Sequence, residues 1–210
     1  MHPAKSDETK QRLLRAAADI FAEKGFEAAT VREICKQAGA NVALVSYHFG
    51  DKLELYTEVL RSLIHPPEVP PQLPSLPPNP EEALRHIVKA MLEKTLDQSN
   101  RASLGYRLML HEFVHPSAAT GRVVDVTIRP VYDLLRGIVG ALLALPPNHD
   151  KTRLCVHSII GQVIHYSRSG NVVAALWPKL KMTPPQRHMI AEHIAGVTLT
   201  YIRAISHRPK

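Results

Sequence analysis

A chain of 210 residues, 45% of them hydrophobic, can bury a real core and is long enough for one domain of ordinary size plus a small one. The formal charge of +7 invites a nucleic-acid reading, but residues 1–64 hold nine Lys/Arg against nine Asp/Glu, so the whole excess lies downstream and net charge cannot carry that reading. Two cysteines far apart, Cys35 and Cys155, do not indicate a disulfide framework or a paired-Cys metal knuckle and fit a reducing cytoplasm.

The first fifteen residues carry Lys5, Asp7, Glu8, Lys10, Arg12 and Arg15 and lack the apolar run of a signal peptide. The most apolar stretch, 134–145, is broken by Arg136 and falls well short of the roughly 20 residues a bilayer requires. A soluble, cytoplasmic protein with no membrane partner is expected.

Glycine and proline punctuate the chain and strand-type alternation is nearly absent, so an all-α fold is expected. A first helix should start near Ser6 or Asp7 and end at a left-handed Gly25, with Leu13, Leu14, Ala17, Ile20 and Phe21 inward. Thr30-Val-Arg-Glu33 is a capping box that opens a second helix, which lasts to Ala38 and stops at Gly39. Asn41 can cap a third short helix running to Phe49. After the Gly50-Asp51 break, Asp51 can cap a fourth with Leu55, Tyr56, Val59, Leu60 and Leu63 on its apolar side.

Residues 66–80 contain eight prolines, which removes so many backbone donors that an extended connector and a domain boundary are expected. Asn79-Pro80-Glu81-Glu82 then starts a helix carrying Leu84, Ile87, Val88, Met91, Leu92 and Leu96 at helical spacing. Further helices are expected over 102–115, over 117–145 with a kink at Pro130, over 151–169, and from a Thr183 cap with Pro184 at the first position to about residue 205. The last is apolar on more than one side (Met189, Ile190, Ile194, Val197, Leu199, Tyr201, Ile202, Ile205). Such width fits a helix packed both on its own domain and on a second subunit, or one buried inside a monomeric bundle.

The chemistry sits in TVREICKQAGANVALVSYHFGDK, residues 30–52. Two short helices around a glycine turn hold a fixed angle when Ile34, Ala38, Ala40, Val45 and Phe49 pack on the first helix. That leaves a face bearing Asn41, Val42, Ala43, Leu44, Ser46, Tyr47 and His48. The N-terminal part of such a helix fits a major groove about 12 Å wide, where Asn reads adenine and small or apolar side chains meet thymine methyls. The plainer alternatives are a Tyr47 that braces the third helix on the fourth and a His48 that is merely a surface residue.

Residues 9–60 resemble the TetR family of bacterial regulators, on FAEKGFEAATV, the Ala38-Gly39 turn, and YHF followed by GDK. HEFxxP and SIIGQVIHY downstream resemble a CerR-type C-terminal domain. The resemblance implies that the third helix reads an operator, that Tyr47, His48 and Lys52 anchor phosphates, that Thr30 to Arg32 also approach the backbone, and that the C-terminal domain holds an inducer site. Ser46 stands where the family commonly has Tyr. On this reading residues 1–50 form the helix-turn-helix domain, 51–65 a connecting helix, 66–80 a linker, and 81–210 a ligand-binding and dimerisation domain. The chain would be a homodimer joined through its last two long helices, a repressor released from a palindromic operator by a small-molecule effector.

Two other function classes stay open at this point. His111-Glu112-Phe-Val-His115 matches HExxH, which on a continuous helix holds zinc with the glutamate as general base; Pro116 pushes His115 to the helix end, and His149, His157 and His165 are scattered as third ligands. A helical protein-interaction module is the other. Polar groups amid apolar helices, Arg107, His111, His157, Gln162, His165 and Tyr166, are candidates to line an effector cavity. Neither a catalytic role nor a metal or cofactor is expected of them.

Overall fold

The computed structural model describes residues 3–64, 76–96, 101–168 and 170–206, and every element among them is helical. In chain order these are α1 (Pro3–Ala28), α2 (Val31–Ala38), α3 (Val42–Phe49), α4 (Lys52–Ile64), α5 (Pro80–Leu96), α6 (Arg101–Val114) and α7 (Thr120–Val123). A π-helical stretch (Val124–Ile128) follows, then α8 (Arg129–Leu143), α9 (Asp150–Arg168), α10 (Gly170–Leu176) and α11 (Pro184–Ser206). Most of the proline-rich connector lies outside the described residues.

Packing groups the helices into two compact units that do not follow chain order: Met1–Pro71 with Asn100–Arg129, and Gln72–Ser99 with Pro130–Lys210. The first unit is built on α1 and α4. Leu13, Ala17 and Phe21 face Leu55, Tyr56, Val59 and Leu60, all buried, and the Tyr56 ring meets Phe21 edge-on at 4.8 Å and Phe26 at 5.2 Å. Its third wall is α6, whose Leu108 and Met109 join this core although the chain places α6 beyond the connector. Periodicity shows that a helix has an apolar side but not which surface covers it, so the division at residue 80 gave no sign of this exchange.

The caps read from the sequence at Thr30, Gly39, Asn41, Asp51 and Asn79 are present. Thr30 Oγ1 accepts from the Glu33 N–H (3.2 Å) while Glu33 accepts from the Thr30 N–H (3.0 Å) and from Lys24 Nζ (2.6 Å). Gly39 at φ 60 ends α2 in the left-handed conformation. Asn41 Oδ1 accepts from the Ala43 N–H (2.9 Å), Asp51 Oδ1 from the Glu54 N–H (2.9 Å) and Asn79 Oδ1 from the Glu81 N–H (2.9 Å). In α1 one difference stands out: it starts at Pro3. Gly25 breaks the helix as expected, with non-helical backbone at positive φ (φ 75, ψ 175), and a further short turn continues to Ala28.

The bonds from Lys24 and Thr30 lower the Glu33 carboxyl from its ordinary 4.5 to about 2. A depressed carboxyl contributes stability that is complete above its ordinary value and is lost as pH falls through the folded value. Acid titration followed by circular dichroism should therefore show α2 loosening between about pH 4.5 and 2. Glu33→Gln should remove that component, and an acid profile left unchanged by this substitution would contradict the assignment.

The second unit packs α5, α8, α9 and α11 around Leu84, Val88, Leu92, Leu135, Val139, Val156, Ile159, Ile194 and Leu199. Arg203 grips Glu81 with two bonds (2.7 and 2.8 Å), Arg85 pairs with Glu192, and Gln186 reaches back to the Thr183 N–H (3.2 Å) at the start of α11. Where a kink was expected at Pro130, the helix widens into the π stretch just before it: proline has no N–H to close the preceding turn, and the wider turn absorbs the loss. The short α10 was not anticipated, because seven residues between Gly170 and Pro178 carry too little periodicity to be read.

Candidate nucleic-acid interface

In α3 the exposed positions are Asn41, Val42, Ala43, Ser46 and Tyr47, whereas Val45 is 2% exposed and fixes the helix to the core. Tyr47 is 72% exposed, so it points outward and does not brace α3 on α4. The face is narrower than expected. Leu44 packs on the core with Phe49, and His48 is half-buried, its ring against Tyr47 (5.0 Å) and Phe49 (6.0 Å) and its Nε2 enclosed without a hydrogen-bond partner. Helical geometry explains this: positions 44, 45, 48 and 49 recur on one side, and that side is the inner one.

Thr30 and Arg32 are exposed at the start of α2, where unsatisfied backbone N–H groups favour anions. The Asn41 carboxamide oxygen is committed to its cap, so a two-bond reading of adenine would have to break the bond to Ala43. Lys52 Nζ lies over the Phe26 ring (4.5 Å) and donates to the Glu27 carbonyl (3.2 Å), a partner that no local pattern signals. Tyr47 is thus the most exposed side-chain donor of α3, with the small exposed side chains of Ala43 and Ser46 beside it.

Two family models match, "Bacterial regulatory proteins, tetR family" over residues 13–59 and "HTH-type transcriptional dual regulator CecR, C-terminal domain" over residues 80–205. The chain belongs to the TetR family of bacterial transcriptional regulators. Its C-terminal part is of the CecR type, the form in which the expected CerR-type domain is found. The chain is 27% identical over 173 residues to the transcriptional dual regulator CecR of Shigella flexneri, covering 77% of each. It is 32% identical over 139 residues to the transcriptional activator FasR of Mycolicibacterium smegmatis, covering 61% of this chain and 59% of that one. A solved transcriptional regulator from Pseudomonas aeruginosa shares the fold, with a TM-score of 0.64 at 22% identity over 97% of this chain and 95% of the other.

The 13–59 match spans α2 and α3, the helix-turn-helix described above. The family is one of regulators and not of enzymes, and the local geometry around HExxH agrees. The buried Glu112 carboxylate accepts from the Ser117 N–H (3.2 Å), Ser117 Oγ (2.9 Å) and Thr120 Oγ1 (2.9 Å), which leaves it a structural acceptor and no general base. The helix does stop at Val114, just before His115, but the two imidazoles remain neighbours, with ring centres 5.0 Å apart. Among the described residues no three His, Cys, Asp or Glu side chains are placed to share a metal.

The six residues suggested for an effector cavity are divided between the two units. Arg107 (exposed) and His111 belong to the first unit; His157, Gln162, His165 and Tyr166 belong to the second. His157 and His165 are exposed on α9, the Gln162 amide donates to the Ser158 carbonyl (3.2 Å), and Tyr166 packs on the second core. An open depression does occur in the second unit, but on α11, lined by His193, Gly196, Val197, Thr200, Tyr201 and Ala204. Among the described residues no helix is long and apolar enough to cross a membrane.

Proposed function

We propose that this regulator is a cytoplasmic repressor that binds a near-palindromic operator as a homodimer and is released by a small-molecule effector. The observation that carries the reading is the outward face of α3, with Tyr47 exposed among small side chains on a helix whose other side is locked into the core. Tyr47 and Arg32, with the α2 N-terminus at Thr30, supply phosphate contacts; Asn41, Val42, Ala43 and Ser46 meet base edges. Lys52 and His48 contribute chiefly by holding the unit in shape, and Leu44 by seating α3.

Dimerisation through α9 and α11 rests on what those helices leave uncovered: Leu154 on α9, and Met189, Val197 and Tyr201 on α11. Apolar side chains in such a row favour a partner over water, and a two-fold axis there would present two recognition helices to one duplex. Effector binding that favours a conformer with wrongly spaced recognition helices weakens operator binding, and operator DNA weakens effector binding by the same factor. Gln162 and Tyr166, half-buried in the second unit, are the members of the suggested set best placed to meet such an effector.

Selection from a pool of random duplexes tests the reading. Recovery of an inverted repeat is expected; a pool that never enriches would contradict it. Val197→Asp should shift the protein towards monomer in sedimentation and weaken operator binding at least about tenfold, since a carboxylate buried between subunits lacks a partner. A dimer undisturbed by this substitution would move the interface elsewhere.

A further inference from the structure

We propose that His111 is a positioning residue for the operator-reading helices, a ring wedged into a notch that glycine at position 25 leaves open. The proposal rests on the DNA-reading assignment of α3 and names what holds that site in place. At Gly25 the backbone adopts φ 75, and a Cβ there would lie 2.9 Å from Nε2 and 3.0 Å from Nδ1 of His111. The imidazole therefore occupies the volume that any other residue at position 25 would claim. His111 Nδ1 is enclosed without a hydrogen-bond partner, so the ring serves this contact by shape and not by a polar bond.

The surroundings turn that contact into a grip. Glu112, next in sequence, ties Ser117 and Thr120 into a tight corner after α6, and the His115 ring backs the His111 ring at 5.0 Å. From that corner the Ala118 N–H reaches Glu27 Oε1 (3.4 Å), and Arg122 pairs with Glu54 on α4 (2.8 Å). From the other side Lys52 holds the Glu27 carbonyl (3.2 Å). The turn from Gly25 to Glu27 is thus fixed from α6, from the corner and from α4. Three residues later Thr30 caps α2, the helix against which α3 is set. HEFVHPS, which reads as a zinc motif in sequence, here clamps the base of the helix-turn-helix.

Hydrogen exchange and operator binding test this together on the full chain. In His111→Ala, amides over residues 25–33 should exchange faster while those of α4 stay protected, and operator affinity should fall about tenfold at a temperature where helicity is unchanged. His111→Phe, which keeps a flat ring and loses both ring nitrogens, of which Nδ1 has no hydrogen-bond partner, should bind within about threefold of the native chain. Native exchange and affinity in the alanine variant would overturn the proposal, as would faster exchange throughout the unit, which marks general destabilisation, or a phenylalanine variant as weak as the alanine one. A native chain that selects no operator would instead sink the DNA-reading assignment, and this proposal with it.

Discussion

Phe21→Ala is expected to lower the melting temperature of the DNA-reading unit by about 15 °C or more and to abolish operator binding at 37 °C. Phe21 is fully buried, with its ring 4.8 Å from Tyr56 and 6.1 Å from Phe26, so truncation opens a hole where α1, α4 and the turn after α1 converge. Emptying such a site costs about 3–5 kcal/mol, against a typical total of roughly 5–15 kcal/mol for a domain. Burial also raises the Tyr56 hydroxyl pKa, with the nearby Glu112 charge adding to the effect, so this tyrosine stays neutral. Differential scanning calorimetry checks the expectation; a shift under about 5 °C would mean the aromatic cluster is not the keystone of this core.

Ala43→Asp should do the opposite: leave folding intact and remove DNA binding. Position 43 is exposed in the first turn of α3, where its N–H is already accepted by Asn41 and where an acid is favoured by the helix dipole, by about 0.3–1 kcal/mol. Set against a duplex, the same carboxylate meets phosphate charge and base acceptors, and like-charge contact in an interface costs several kcal/mol, so affinity should fall at least about 100-fold. Fluorescence anisotropy on an operator fragment, beside a thermal melt of the same variant, separates the two effects. Native affinity in the aspartate variant would place base reading away from α3.

What was legible in the sequence is what acts over three or four residues. Thr30 with Glu33, Asn41, Asp51 and Asn79 all cap the helices they were expected to cap, because donor and acceptor lie within one turn and need no tertiary context. The apolar faces of α1, α4 and α5 were legible for the same reason, since 3.6-residue periodicity is a local property. Partners were not. Nothing near α6 says that Leu108 belongs with Phe21, nothing near Lys52 says that its ammonium meets the Glu27 carbonyl, and nothing near His111 points to Gly25, 86 positions earlier.

The eight residues of α3 show both regimes. Val45 inward and Tyr47 outward follow from the pattern, yet Leu44 and His48 read as free because an apolar or aromatic side chain at the edge of a helix face fits either side until the neighbouring helix is in place. HExxH was misleading for a related reason: its spacing specifies where two rings and a carboxylate lie on a helix, while Ser117 and Thr120 decide what the carboxylate does. A hydroxyl pair following Pro116 was the one available sign that Glu112 would be consumed as a cap.

Base reading by the outward side of α3 is tested most directly by repeating the duplex selection with Val42→Asn and Ser46→Ala. Each variant is expected to keep the half-site spacing of the native protein while changing the preferred base at one or two positions within each half-site. Identical consensus sequences from both variants and the native chain would show that the bases are read by some other part of the protein.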